Sequence, residues 1–200
     1  LVPVIPGSPW DKYGKTHPRE LAGKVTIVVK LPAREEQFVV RSLSGEDVEK
    51  KLPNIRQFHH ENLIRTYEIF AYNDAFYLIS EFMCISLKHV RRCPKYPNEK
   101  QLVAIVKQAL NGICFLTSKK LAHNALTLSN ILINADGSVK IANLEHCKTD
   151  DECGRKNAKS LGRVMMMLMD KDAKEDGELD LTRFDKWSDL AVNFLSMTIT

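Results

Sequence analysis

The chain has 200 residues, of which 44% are hydrophobic and 27% charged, and a formal net charge of +4. That balance belongs to an ordinary soluble globular protein with a core of useful size, and so mild a charge excess does not point to nucleic acid. No apolar run approaches the ~20 residues of a membrane helix, and no charged-then-apolar leader opens the sequence, so no membrane partner is expected.

Residues 1–20 carry Pro3, Pro6, Gly7, Pro9, Gly14 and Pro18 and read as a loop or arm. Residues 24–31 and 37–43 are rich in β-branched side chains and predict a hairpin. A helix is expected over 46–59, short or kinked because Pro53 lies in it. A second hairpin is expected over 64–72 and 75–82, turning at Asn73-Asp74. Helical spacing of Val103, Val106, Leu110, Ile113 and Leu116 predicts a helix over 100–119. Two short strands follow, 131–134 and 139–142, turning at Ala135-Asp136-Gly137. A helix is expected over 157–169, with Met165-Met166-Met167 as core filling. The acidic stretch 170–180 reads as a solvated loop, and a last helix starts near Ser188 with Asp189 in its first turn. The basic run Lys88, Arg91, Arg92 and Lys95 reads as a solvated face. Strand-rich then helix-rich halves predict an α+β fold with an N-lobe over about 20–82 and a C-lobe over about 83–200. The cysteines (Cys84, Cys93, Cys114, Cys147, Cys153) are odd in number and lack paired spacing. They suggest neither a disulfide framework nor a zinc site, and a reducing compartment, cytoplasmic or nuclear, is expected.

Residues 123–145, HNALTLSNILINADGSVKIANLE, resemble the catalytic loop and metal-binding segment of protein kinases. Residues 108–123 resemble the helix leading into that loop. His60-Glu61-Asn62-Leu63-Ile64 resembles the segment after helix C, and Ser80-Glu81-Phe82-Met83 resembles the gatekeeper and hinge. Phe38-Val39-Val40-Arg41 resembles the strand that carries the phosphate-gripping lysine, and Ser160-Leu161-Gly162 resembles part of helix F. Residues 187–195 resemble the helices beyond it. One segment alone would be a weak signal; all of them in the family's order are specific. The resemblance implies a bilobal protein kinase-like fold with a truncated C-lobe.

The same resemblance implies what is missing, because phosphoryl transfer rests on positioning and charge neutralisation. The glycine-loop positions are Pro18, Glu20 and Gly23, of which only the last keeps the residue. Arg41 stands for the lysine, and Lys51 for its helix-C glutamate partner, giving two cations where an ion pair is needed. Ala125 replaces the proton-accepting aspartate, and a methyl accepts no proton. Asn143 replaces the metal-binding aspartate, leaving a neutral amide for a cation that prefers carboxylates. Asn130 survives at the second metal position but is expected to brace its loop. Glu145 replaces a glycine, and Arg41 is expected either to pair with it and lock the cleft or to hold a phosphate. Asn157 stands for the helix-F aspartate, and Thr149 is the only hydroxyl in a short activation segment.

Packing positions persist. Val25, Val39 and Leu132 correspond to the residues that sandwich adenine, with Ser80, Glu81 and Met83 completing a residual pocket that Val39 narrows. Ile55, His123 and Leu144 correspond to an internal apolar stack, and Thr66 departs from it. The resemblance thus implies a pseudokinase: no enzyme, no metal, no required cofactor, with ATP disfavoured. It would act as a scaffold or allosteric regulator on a protein partner such as an active kinase or another signalling protein. The alternatives are a sensor that binds nucleotide without turning it over, or a weakly active unorthodox kinase built on Arg41, Asn130, Asn143 and Glu145.

Overall fold

The computed structural model describes residues 1–173 and 186–199. Six strands form one sheet: β1 (Val4–Pro6), β2 (Tyr13–Glu20), β3 (Lys24–Lys30), β4 (Gln37–Ser44), β5 (Thr66–Tyr72) and β6 (Ala75–Glu81), in the order β1-β5-β6-β4-β3-β2. All neighbours are antiparallel except β1, which runs parallel to β5. Asn73 and Asp74 both adopt left-handed φ (49° and 54°). That turn matches the twist of the strands it joins.

The sheet follows a period of two. Ile69 and Leu78 face helix α1 (Val48–Gln57) and pack with Val2, Leu52 and Ile55. Phe70 and Ile79 face the other way and pack with Tyr13, Val28, Phe38 and Val40. Pro53 lies inside α1, which is only ten residues long.

The second lobe contains β7 (Ile85–Ser86), α2 (Leu87–Arg92), α3 (Glu99–Ser118), β8 (Leu121–His123), β9 (Ile131–Ile133), β10 (Val139–Ile141), β11 (Cys147–Thr149), α4 (Cys153–Met169) and α5 (Asp189–Ile199). Its core joins Leu102, Ile113 and Leu116 of α3 to Leu161, Val164 and the methionines of α4. Met165, Met166 and Met167 are all buried, as core filling requires. The lobes meet where Ile64 donates to the Ile141 carbonyl (2.9 Å) and Ile141 donates to that of Asn62 (2.8 Å).

Four expectations need correction. Residues 1–20 are not a free arm: they form β1, a 3-10 turn and β2, and Val2, Pro9 and Tyr13 are buried. The sheet therefore begins well before residue 20, because proline is tolerated on edge strands such as β1 and β2. In α3, Val103 is 52% exposed and the buried stripe is Leu102, Ile105, Val106, Ala109 and Ile113. Asp170 is fully buried, not solvated, and accepts from the Asp172 amide (2.9 Å) at the end of α4; residues 174–180 lie outside the described residues. Arg91 does not face solvent either: it donates to the carbonyls of Lys171 (3.0 Å) and Ala173. Among the described residues, no helix is long and apolar enough to cross a membrane.

Candidate functional site

The cleft between the lobes is lined by β3, β4, β6 and the β10–β11 connection. Val25 and Leu132 are buried and cluster with Met83 and Ala142, with Val39 half-buried against them. Ser80 and Glu81 also line the cleft. Ser80 shares a hydroxyl hydrogen bond with Thr66 (3.2 Å), so the polar departure in the internal stack has its own partner. Glu81 accepts from Lys140 (2.9 Å) and from the Arg65 amide (2.7 Å), which keeps it at the rim. All six residues expected to form the residual pocket therefore come together.

What fills the cleft was not expected. The turn between β2 and β3 points inward, with Ala22 at φ 53° and Gly23 at φ 104°. Leu21 is 2% exposed and Ala22 is buried, both packed on Val25, Met83, Leu132 and Ala142. The tip that would arch over phosphates is folded into the apolar half of the cleft. A signal was available: a Leu-Ala pair at a hairpin tip, where turns favour polar residues and glycine. The remaining cavity is about 50 Å³. A drug-sized ligand needs roughly 300–1,000 Å³.

The polar half is closed by a hydrogen-bonded cluster. Arg41 on β4 forms two contacts of 2.9 Å with the Glu145 carboxylate, and its other bond runs to the Asn143 side-chain oxygen. Such forked pairing fixes geometry as well as charge. The Arg41 side chain is 18% exposed and that of Glu145 is 6%. Asn143 sits at φ 64°, a left-handed conformation that asparagine tolerates. Its amide nitrogen donates to the Ala22 carbonyl (2.9 Å) and to the Asn130 oxygen (3.0 Å). Aspartate at this place would have no N–H to give either acceptor. Asn130 donates in turn to the Ala125 carbonyl (2.7 Å), which is the bracing role expected of it.

Oxygen donors for a metal are therefore already engaged, Asn130 by Asn143 and Glu145 by Arg41. Among the described residues, no group of three His, Cys, Asp or Glu side chains converges as a metal site. A metal placed here would have to displace those contacts. Lys51 does not belong to the cluster. Val48, Leu52 and Ile55 form the buried face of α1, and Lys51 on its flank reaches solvent. The anionic partner of Arg41 comes from the Glu145 backbone position, not from α1.

The loop below is braced by neutral groups. Asn157 on α4 accepts from the His123 amide (2.9 Å) and donates to the Leu121 carbonyl (2.9 Å) and the Thr117 hydroxyl (3.0 Å). His123 is 2% exposed, its Nε2 lies 2.9 Å from the Ala142 carbonyl, and its Nδ1 accepts from Ala125 (3.3 Å). Burial pushes its pKa below the ordinary imidazole range, partly offset by the bond to Ala142. A neutral ring satisfies both contacts. Residues 147–149 pair with 121–123 as β11 and β8, and α4 begins at Cys153, four residues earlier than expected. The segment after Glu145 is thus folded directly onto the second lobe.

A profile of the protein tyrosine and serine/threonine kinase family matches residues 12–188. The chain belongs to the protein kinase domain family. The kinase domain is similar to the serine/threonine-protein kinase PAK mbt of Drosophila melanogaster, at 28% identity over 130 residues, covering 62% of this chain and 19% of that protein. It is similar to the serine/threonine-protein kinase STE20 of Debaryomyces hansenii, at 24% identity over 174 residues, covering 84% of this chain and 16% of that protein. It is also similar to the STE20-related kinase adapter protein strd-1 of Caenorhabditis elegans, at 32% identity over 117 residues, covering 54% of this chain and 30% of that protein. The chain thus spans less than a third of the length of these relatives.

Proposed function

We propose that this kinase-family domain transfers no phosphate and acts as a protein-binding module, a scaffold or an allosteric regulator. One observation carries the reading. Arg41, at the position of the phosphate-gripping lysine, spends its guanidinium on Asn143 and Glu145, while Leu21 fills the apolar half of the same cleft. The groups that would meet a nucleotide meet each other. Ala125 adds to this, since losing a general base costs about 10²–10⁴-fold in rate. One relative is named a kinase adapter protein. A comparable role here calls for a protein partner, an active kinase or another signalling protein, and for no metal or nucleotide. Five free cysteines fit a reducing intracellular compartment.

The test is transfer of labelled phosphate from ATP and Mg²⁺ to a generic protein substrate and to the chain itself. Incorporation should match that of the Asn130→Ala variant, at background. Transfer well above background that Asn130→Ala abolishes would overturn the reading.

A further inference from the structure

The reading above calls for a surface on which a protein partner binds, and one edge of the N-lobe sheet is already used in that way. β5 would be the edge strand of a five-stranded sheet if residues 2–6 were not laid along it. The Ile69 amide donates to the Pro3 carbonyl (3.2 Å), and the Gly7 amide donates to that of Ala71 (3.0 Å). Val4, Ile5 and Pro6 pair with Ile69, Phe70 and Ala71. Val2 is buried against Leu52, Ile55, Ile69 and Leu78, with Val4 half-buried beside it, and Ile5 packs on the opposite face. Val2 also exchanges hydrogen bonds with the last turn of α1: its amide donates to the Arg56 carbonyl (3.0 Å) and Arg56 Nε donates to its carbonyl (2.8 Å). Main-chain bonds with pockets for alternate side chains are the physics of strand addition.

We propose that the outer edge of β5 and the adjoining face of α1 form a strand-docking site, filled here in cis by residues 2–6. An extended segment of a partner protein with small branched apolar residues two apart takes their place. Three features favour exchange. The cis strand has only three residue pairs, and Pro3 and Pro6 contribute no N–H. The chain after it is anchored independently: Pro9 is buried, Trp10 packs edge-on against Tyr77 at 5.7 Å, and Lys12 pairs with Glu68. Gly7, at φ 113°, provides a hinge between the two. Residues 2–6 can therefore lift away while β2 stays in the sheet. Their loss would be felt in the cleft, because Ile55 and Leu78 contact Val2's cluster and also line the cleft.

The experiment inserts a protease site between Gly7 and Ser8 of the full chain, cuts the folded protein, and titrates it with a fluorescein-labelled peptide of residues 1–7. Saturable binding to the cut protein is expected, with binding to the uncut protein about tenfold or more weaker because the cis strand occupies the site. A peptide with Val2→Asp and Val4→Asp should not bind, and uncut chain carrying Val2→Asp should bind the native peptide. Absence of binding to cut protein that keeps its native circular dichroism would overturn the proposal. So would unfolding on cutting, or peptide-insensitive dimerisation, which would assign the edge to a second copy. No nucleotide is involved, so failure here is distinguishable from failure of the non-catalytic reading.

Discussion

Arg41 and Glu145 exchange charge where water is largely excluded, so each is costly to leave alone. Arg41→Ala should destabilise the domain by about 3–5 kcal/mol, the usual cost of stranding one member of a buried pair, which is a large share of a ~5–15 kcal/mol total. The double variant Arg41→Met with Glu145→Leu should recover most of that loss in urea unfolding. A loss equal in both variants would mean that packing, not the ion pair, matters at this place. Part of the cluster was legible in the sequence, since an arginine and a new glutamate at two degenerate positions suggested a pair. Its other half was not. The apolar Leu21-Ala22 tip was a local hint, but where Leu21 goes depends on Val25, Met83, Leu132 and Ala142, residues brought together only by the fold. Lys51 misled for a related reason: position along a helix does not say whether a long side chain stays on the buried face or reaches water.

Among the elements, the second hairpin, α3 and the β9–β10 pair were readable because period, length and turn residues agree. β1 and β2 were not, because glycine and proline suggest loops and only pairing with β5 and β3 makes these segments strands. The junction between the lobes rests on a detail that no pattern announces. A Cβ on Gly112 of α3 would lie 2.9 Å from the Asn62 carbonyl oxygen and 3.0 Å from the Ile141 side chain. That carbonyl holds the Ile141 amide and so positions the backbone leading to Asn143. Alanine normally favours a helix over glycine by about 1 kcal/mol. Gly112→Ala should instead destabilise by about 1–3 kcal/mol through overpacking, with faster hydrogen exchange at Ile141 and Ile64. A stabilised variant would show that the junction has room to give.

At the scale of the whole molecule, the described residues of both lobes keep apolar cores while the polar groups of the cleft are turned on one another. Burial and hydrogen bonding join the lobes in part through Asn143, which links Ala22 of one lobe to Asn130 of the other. The two-lobed architecture was legible because element order and the family's segments agree along most of the chain. The occupancy of the cleft was not, because it is a property of the assembled lobes. The measurement that tests this account most directly is thermal unfolding with and without millimolar ATP, each with and without Mg²⁺. A ligand bound only to the native state at a hundredfold excess over its Kd adds about 2.7 kcal/mol, and each 1 kcal/mol raises the midpoint of a domain this size by about 2–4 °C. The account predicts an unchanged midpoint in every condition. A midpoint that rises in step with nucleotide concentration would contradict it.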